Sequence, residues 1–218
     1  MPYRVILIGA SGLIGSKLLS MLIASDQISD VLLILRRHLD VSHVKIHQLI
    51  INFDDLPAYR REIQGDIIFS CLGTTRTETP DPDLYKKIDL EYPLSIALYG
   101  LENGVQQFHI VSSIGADAAS SNAYLKLKGQ LENELKKLNY PSLHIYQPSY
   151  LTGERKKKRI SDKIISPLLR LIDPLLAGPF KKYRSIPAEK VARAMLNQSL
   201  KDLRGSFTYP SIQIQQLA

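Results

Sequence analysis

The chain has 218 residues, of which 44% are hydrophobic and 22% charged; this is the composition of one ordinary globular domain, and no apolar run reaches the roughly 18 residues of a transmembrane helix. The single cysteine excludes an intrachain disulfide framework and a cysteine-rich metal site, and the N-terminus lacks the layout of a signal peptide, so we expect a cytoplasmic protein without a metal. Lysine and arginine outnumber the acids 28 to 21, and the net charge of +7 suits anionic partners without choosing among them.

Short apolar segments alternate with helix-length amphipathic segments along the first 150 residues. Because these apolar segments are hydrophobic on both faces, we expect a parallel sheet covered on both sides by helices. The predicted strands are Arg4–Ile8, Val31–Leu35, Gln48–Ile51, Asp66–Ser70, Phe108–Ser112 and Leu143–Tyr146. The predicted helices are Leu13–Ala24, Ala58–Gln64, Leu84–Asn103 and Tyr124–Asn139. These repeated βα units predict a three-layer, doubly wound α/β fold of the Rossmann type, with strand order 3-2-1-4-5-6.

Signals at the helix ends support these assignments. Pro82 should open the third helix, Gly104 should end it, and Asn122 could cap the fourth. After Pro148 the alternation is looser, and the predicted elements are a helix near Ile164–Leu176, a helix at Pro187–Leu200 and a short strand near Phe207–Tyr209. We expect one domain, with a core at 1–150 and a small substrate-side lobe of flap and helices at 151–218.

The first predicted strand runs directly into the glycine-rich turn VILIGASGLIG. Gly9 would permit a tight turn, Gly12 would let the backbone approach a diphosphate, and Gly15 would let the helix pack on the strand. Free N–H groups at the start of the helix favour an anion. We therefore expect this turn to bind a dinucleotide through Gly9, Ser11, Gly12, Leu13, Ile14 and Gly15.

The end of the second strand distinguishes between the two nicotinamide dinucleotides. A carboxylate there would hold the ribose hydroxyls of NAD, but this chain has Arg36 and Arg37. Guanidinium groups bind a 2′-phosphate, so NADP(H) is preferred over NAD(H). The alternative is that both arginines are simply solvated at the edge of the sheet.

Residues at the ends of the third and fourth strands should surround the adenosine half of the cofactor. Asn52 and Phe53 could contact the adenine, although Phe53 could equally lie in the core. The segment SCLGTT should pass close to the ribose, with Cys71 packed as a small hydrophobe. The residues expected to bind there are Leu72, Gly73, Thr74 and Thr75.

Tyr124 and Lys128 are four residues apart, so they share one face of the predicted helix. The carboxyl end of the preceding strand would bring Ser113 close to both. In that arrangement Ser113 binds a substrate carbonyl, Tyr124 donates the proton, and Lys128 lowers the pKa of the phenol and holds the nicotinamide ribose. Ser112 is the alternative to Ser113, and the competing interpretations are a packed tyrosine and a solvated lysine.

Several motifs together resemble those of the atypical short-chain dehydrogenase/reductases, in particular the branch of the mammalian Tat-interacting protein. They are the glycine turn, LGTTR at Leu72–Arg76, IDLEY at Ile88–Tyr92, SSIGAD at Ser112–Asp117, YLKLKGQLE at Tyr124–Glu132 and YRSIPAEKVARAM at Tyr183–Met195. The resemblance implies a Rossmann core, bound NADP(H) and a Ser-Tyr-Lys set at Ser113, Tyr124 and Lys128. It also implies that Pro148, Ser149 and Tyr150, after the sixth strand, contact the nicotinamide. Ser112 is a further expected cofactor contact.

A basic and apolar segment, 154–182, departs from the alternating pattern. Arg155–Arg159 precede a group of isoleucines and leucines, and Lys181 and Lys182 follow it. One interpretation is a flap over the active site, and another is a helix lying on a membrane surface that delivers an apolar substrate. Nucleic acid is disfavoured because no aromatic residue interrupts the basic run.

These observations favour an NADP(H)-dependent oxidoreductase that transfers hydride to or from a carbonyl or alcohol. Several atypical members of the family use the cofactor for regulation instead of turnover. The alternative hypothesis is therefore an NADP(H)-sensing module that regulates a protein partner, peripheral to a membrane if segment 154–182 binds one.

Overall fold

The computed structural model describes residues 2–153, 176 and 178–218. Its centre is a parallel sheet of seven strands in the order β3-β2-β1-β4-β5-β6-β9, and a two-stranded parallel sheet, β7-β8, lies apart from it. The strands are β1 Tyr3–Ile8, β2 Ile28–Leu35, β3 Ile46–Ile50, β4 Ile67–Ser70, β5 Gln107–Val111, β6 Ser142–Gln147, β7 Leu151–Thr152, β8 Ile186–Pro187 and β9 Gly205–Pro210. The predicted doubly wound fold and the order of its first six strands are confirmed, and β9 extends the sheet beyond β6.

Helices cover both faces of this sheet. They are α1 Leu13–Ala24, α2 Pro82–Lys86, α3 Tyr92–Glu102, α4 Ala123–Lys137, α5 Ala188–Ser199 and α6 Ser211–Leu217. Two 3-10 helices, Phe53–Glu62 and Gly178–Tyr183, and a π-helical turn, Lys87–Glu91, complete the described elements. The predicted helix near Ile164–Leu176 lies outside the described residues, apart from residue 176.

The continuous apolarity of the strands has a direct structural cause, because each strand contributes to two cores. Side chains alternate along a strand, so Val5 and Leu7 of β1 face one core and Ile6 and Ile8 face the other. Helices α1 and α5 bury their apolar faces in the first core, and α3 and α4 bury theirs in the second. Described residues after 150, such as those of α5, thus share the core that the N-terminal half builds.

The predicted helix ends are confirmed where a local signal controls them. Asn122 caps α4, since its Oδ1 accepts from the N–H groups of Tyr124 and Leu125 at 3.0 and 3.2 Å. Pro82 is the first residue of α2, and Gly104 follows α3 with φ +85°, a conformation that glycine adopts without strain.

Two predicted helices are wrong in type or continuity, and a proline lies inside one and directly before the other. The helix predicted at Ala58–Gln64 is the 3-10 helix Phe53–Glu62, which contains Pro57. The helix predicted at Leu84–Asn103 is interrupted by the π-helical turn, where the N–H of Tyr92 donates to the carbonyl of Lys87. Pro93 explains this turn, because a proline lacks an N–H and its ring would clash with the carbonyl four residues earlier, that of Asp89.

Two histidines that the sequence did not single out form a polar ladder inside the first core. His109 of β5 and His144 of β6 are register partners, and their rings stack with centroids 4.2 Å apart. Gln107 Oε1 accepts from Nε2 of His109 at 3.1 Å, so the Tyr146 hydroxyl must donate to Nδ1. The Ser142 hydroxyl donates to a backbone carbonyl, so it accepts from His144 Nε2 at 2.8 Å.

The Tyr209 hydroxyl then donates to Nδ1 of His144 at 2.9 Å, so each ring satisfies both nitrogens in its neutral form. Burial lowers the pKa of His109 well below its ordinary value and that of His144 to about 4. In the unfolded chain a histidine titrates near 6.5. The unfolded state thus binds more protons between these values. The two histidines therefore leave the free energy of unfolding undiminished only above about pH 6.5, and lower it as the pH falls.

We expect the free energy of unfolding to decrease as the pH falls from about 6.5 towards 4, with His144 alone contributing about 2–3 kcal/mol of this decrease by pH 4.5. Urea denaturation followed by circular dichroism at several pH values measures this. His144→Gln should flatten the acid limb of the stability curve, whereas His38→Gln at an exposed position should leave it unchanged. Equal acid limbs for the wild type and His144→Gln would contradict the assignment.

Candidate functional site

The glycine turn between β1 and α1 has the geometry that its sequence predicts. Gly9 adopts φ +78°, and a Cβ there would lie 2.5 Å from the carbonyl carbon of Cys71 on the neighbouring β4 side. A Cβ on Gly15 would collide with the carbonyl of Gly9. Both positions therefore require glycine. Gly9 does so because of its conformation and the close approach of the backbone after β4, and Gly15 because α1 packs directly on the turn.

The start of α1 is open to an anion. Gly12 is its N-cap, no side chain caps the helix, and its first turn contains no acidic residue. The N–H of Gly12 donates to Gly9 at 3.0 Å, and the first N–H groups of the helix follow from Leu13 onward. Positive partial charge and available donors at this end fit the diphosphate of a dinucleotide.

A cavity of about 600 Å³ extends from this helix start along the carboxyl edge of the sheet. Most of the predicted site residues line it: Gly12, Leu13, Ile14, Leu72, Gly73, Thr74, Thr75, Ser112, Ser113, Tyr124, Lys128, Ser149 and Tyr150. The sequence predicted that the glycine turn and the Ser-Tyr-Lys set belong to one site, and in the structure both line one cavity.

The remaining predicted residues lie around the cavity without lining it. Gly9, Ser11, Gly15 and Pro148 belong to the turns that shape it, while Arg36 and Arg37 are exposed at the end of β2. Phe53 is buried in the second core with its ring 5.3 Å from that of Tyr92, which agrees with the core interpretation. Asn52 is exposed, and its side chain accepts from the N–H of Asp54 and caps the 3-10 helix.

Lys128 is buried against a carboxylate that the sequence did not single out. Its Nζ lies 2.9 Å from Oδ1 of Asp89, and the two side chains are 4% and 0% exposed. The N–H of Thr74 donates to the other oxygen of Asp89 at 2.9 Å. Burial by itself would lower the pKa of Lys128, but the charge of Asp89, with smaller effects of Tyr124 and Glu132, outweighs burial and raises it. Lys128 is thus a fixed cation, and the solvated interpretation is wrong.

The two serines at the end of β5 have different roles. The Ser112 hydroxyl donates to Oε1 of Glu132 at 2.5 Å, and Gln147 Nε2 donates to both oxygens of the same carboxylate at 3.0 Å. The hydroxyl of Ser112 is therefore committed to the interior. Ser113 lines the cavity, and within the described residues its hydroxyl makes only a long bond of 3.3 Å to the adjacent carbonyl of Ile114. Ser113 is the serine that a bound molecule can reach.

Tyr124 lies in the first turn of α4, directly after its cap. Lys128 Nζ is 6.0 Å from the centroid of the tyrosine ring, so the four-residue spacing does bring the two together on the cavity side. Gly129 keeps this face close to the loop before α4, because a Cβ there would collide with the backbone of Asp117 and Ala118. The loop and α4 together fix Ser113, Tyr124 and Lys128 along one wall.

Seven further residues line the cavity: Cys71, Arg76, Tyr85, Asp89, Val111, Ile114 and Leu151. The most important of them, Asp89, does have a signal in the sequence. It is an acid between two apolar residues, four positions before a proline, in a helix that this proline forces to widen. Arg76 and Tyr85 have no such signal.

Comparison with known proteins identifies the family of this chain. Residues 5–209 match the NAD dependent epimerase/dehydratase family. The chain belongs to this family. Among curated members, Protein HTATIP2 of Rattus norvegicus is 32% identical over 197 residues, which are 88% of this chain and 79% of the relative. Protein FMP52, mitochondrial, of Debaryomyces hansenii is also 32% identical over 197 residues, 88% of this chain and 85% of the relative. These matches confirm the resemblance that the motifs predicted.

Several solved structures share the fold at lower identity. MoeE5 in complex with UDP-glucuronic acid and NAD aligns with a TM-score of 0.70 and 18% identity, over 94% of this chain and 75% of its own. UDP-N-acetylglucosamine 4-epimerase from Methanobrevibacter ruminantium M1 aligns with a TM-score of 0.71 and 15% identity, over 96% and 76%.

Segment 154–182, to which the flap and membrane-surface interpretations refer, lies largely outside the described residues. Of its basic residues, Lys181 and Lys182 are described, and both are exposed beside the exposed rings of Phe180 and Tyr183. In the part of the chain that the structure describes, no helix combines the length and apolarity needed to cross a bilayer.

We expect Asp89→Ala to lower the free energy of unfolding by about 3–5 kcal/mol, because it leaves the ammonium of Lys128 buried without its partner. Urea denaturation followed by circular dichroism measures the change. Glu91→Ala is a matched control from the same π-helical turn: it removes an exposed pair with Lys86 of equal length, 2.9 Å, and should lower the free energy of unfolding far less than Asp89→Ala does.

The double variant Asp89→Ala/Lys128→Met separates the unpaired charge from lost packing. It should be more stable than Asp89→Ala alone, since no ammonium is then left buried without a partner. A double variant that is less stable than Asp89→Ala would show that the charge is not the cause.

Proposed function

We propose that the protein is an NADP(H)-dependent oxidoreductase that acts on a carbonyl or alcohol. The observation that carries the proposal is one cavity whose lining includes both the uncapped start of α1 and the side chains of Ser113, Tyr124 and Lys128. The family supports a nicotinamide cofactor, and the required glycines of the turn support its diphosphate at the α1 end.

Each residue of the Ser-Tyr-Lys set has a distinct part in the proposal. When bound, the nicotinamide would supply or accept the hydride. Ser113 would donate a hydrogen bond to the substrate oxygen, and Tyr124 would give that oxygen its proton on reduction or remove it on oxidation. Lys128, held by Asp89, would orient the ribose with its charge fixed beside the phenol.

The preference for NADP(H) is supported by the surface at the end of β2. Within the described residues, Arg36 and Arg37 are exposed and make no ion pair. Asp54, a nearby carboxylate, accepts from Lys87 at 2.7 Å and from Tyr92 at 2.8 Å, and these bonds hold its pKa below the ordinary value. Because Lys87 already balances Asp54, both guanidinium groups remain for a 2′-phosphate.

Removing both guanidinium groups tests the cofactor preference. Arg36→Ala/Arg37→Ala should weaken NADPH binding by at least about tenfold and change NADH binding little, since only NADPH carries the 2′-phosphate. Isothermal titration calorimetry with both dinucleotides measures this. Arg60→Ala/Arg61→Ala, an exposed adjacent pair away from the cavity, is the matched control. Equal losses for NADPH and NADH would contradict the proposed contact.

Removing the phenol of Tyr124 tests the chemistry. Tyr124→Phe should lower the rate of NADPH oxidation with an aldehyde panel by at least about 100-fold and leave NADPH affinity within a few fold, because only proton transfer is lost. Tyr59→Phe, outside the cavity lining, should have wild-type rates. An undiminished rate in Tyr124→Phe would exclude the role. A wild type that binds NADPH but oxidises none across the panel would favour the sensing module instead.

A further inference from the structure

The connection between β2 and β3 is a loop, residues 36–45, where a doubly wound fold usually has a helix. It begins with Arg36 and Arg37, the two guanidinium groups proposed above to bind the 2′-phosphate. In the described part of the chain β3 is an edge strand of the sheet, so no outer strand supports the loop. The position of its arginines therefore depends on the contacts that the loop itself makes.

Gln48, the central residue of β3, makes three hydrogen bonds to this loop. Its Oε1 accepts from the N–H of Leu39 at 2.9 Å, and its Nε2 donates to the carbonyls of Leu39 and Val41 at 2.9 and 3.3 Å. The side-chain amide thus pairs with both backbone groups of Leu39, as a residue of an antiparallel strand would. The orientation of the amide is fixed, because the N–H needs an acceptor and the two carbonyls need a donor.

The arginine end of the loop lies between two fixed residues. Before it, the carbonyl of Leu35 accepts from the N–H of Ile51 at 2.9 Å, so β2 is paired up to its last residue. After it, Leu39 is bonded to Gln48 and packs, half-buried, against the first core. Residues 36–38 lie between these two points, and all three are exposed. Because this short segment is anchored at both ends, its guanidinium groups project from a defined backbone.

We propose that Gln48 is a positioning residue for the 2′-phosphate of NADP(H) and contributes to the cofactor preference through Arg36 and Arg37. This inference rests on the proposed function and names a further residue on which its cofactor specificity depends. The amide of Gln48 is bonded to the loop backbone, so it acts on the phosphate only through the arginines. A loop that is ordered before binding loses less conformational entropy when the phosphate binds, which increases affinity.

A purely structural role of Gln48 is the competing interpretation. Leu39 and Val41 both pack against the first core, so the loss of their bonds to Gln48 also lowers stability. Partial unfolding, however, would weaken NADPH and NADH binding by the same factor, because both bind the same folded protein. The ratio of the two dissociation constants therefore distinguishes positioning of the arginines from a general effect on the fold.

Gln48→Leu removes all three hydrogen bonds at similar side-chain size. Isothermal titration calorimetry on the full chain should show NADPH binding weakened about fivefold and NADH binding changed less than about twofold. Gln106→Leu is the matched control, since Gln106 Nε2 also donates to a backbone carbonyl, that of Gly104 at 2.8 Å, but at the amino end of β5. This control should keep the wild-type ratio of the two affinities. An unchanged ratio in Gln48→Leu would overturn the proposal.

A mutant cycle tests whether Gln48 acts through the arginines. Adding Gln48→Leu to Arg36→Ala/Arg37→Ala should change NADPH affinity less than about twofold, because the groups that Gln48 positions are then absent. A further fivefold loss in the triple variant would overturn the proposal. A wild type that binds neither dinucleotide, or both equally, would contradict the proposed NADP(H) preference and this inference with it. If the arginine variant loses the preference and Gln48→Leu keeps it, only this inference fails.

Discussion

The buried ion pair between Asp89 and Lys128 is the interaction on which the arrangement of the site depends. It joins the π-helical turn to α4, and through the N–H of Thr74 it also joins the loop that follows β4. Three segments distant in sequence are thereby held at one point in the cavity wall. Removing two charges from water is costly, and a buried pair is weak evidence for added stability. The pair instead fixes where the two side chains lie, because neither group can move without leaving the other unpaired in the interior.

The location of the cavity follows from the topology of the sheet. From β1 the chain crosses to β2 on one side, while β4 lies on the other, so the strand order reverses between β1 and β4. A crevice forms at such a reversal, outside the carboxyl ends of the strands. Gly9 occupies this point, with its backbone against that of Cys71. The absence of a side chain at Gly9 and Gly15 lets α1 begin close to the sheet, with its N–H groups directed at the crevice.

An irregular part of the backbone, the π-helical turn, also positions a residue of the site. Pro93 makes a continuous α-helix unfavourable, and the π-helical turn that results contains Asp89. Other buried polar groups have no part in the cavity: the stacked rings of His109 and His144 hydrogen-bond through both of their nitrogens within the first core.

Local and periodic features of the sequence determined the fold and, within the site, the glycine turn and the pairing of Tyr124 with Lys128 on one helix face. Continuous apolar strands, the glycine turn, the cap at Asn122 and the four-residue spacing of Tyr124 and Lys128 act over a few residues, so each can be read without knowing its neighbours in space. The tertiary structure alone decided which groups became partners. It directed Ser112 to Glu132 and left Ser113 to the cavity, buried Phe53, and brought Asp89 to Lys128. The reason is physical: the partner of a buried charge or hydroxyl comes from another segment of the chain, and only the packing of helices on the sheet brings the two together.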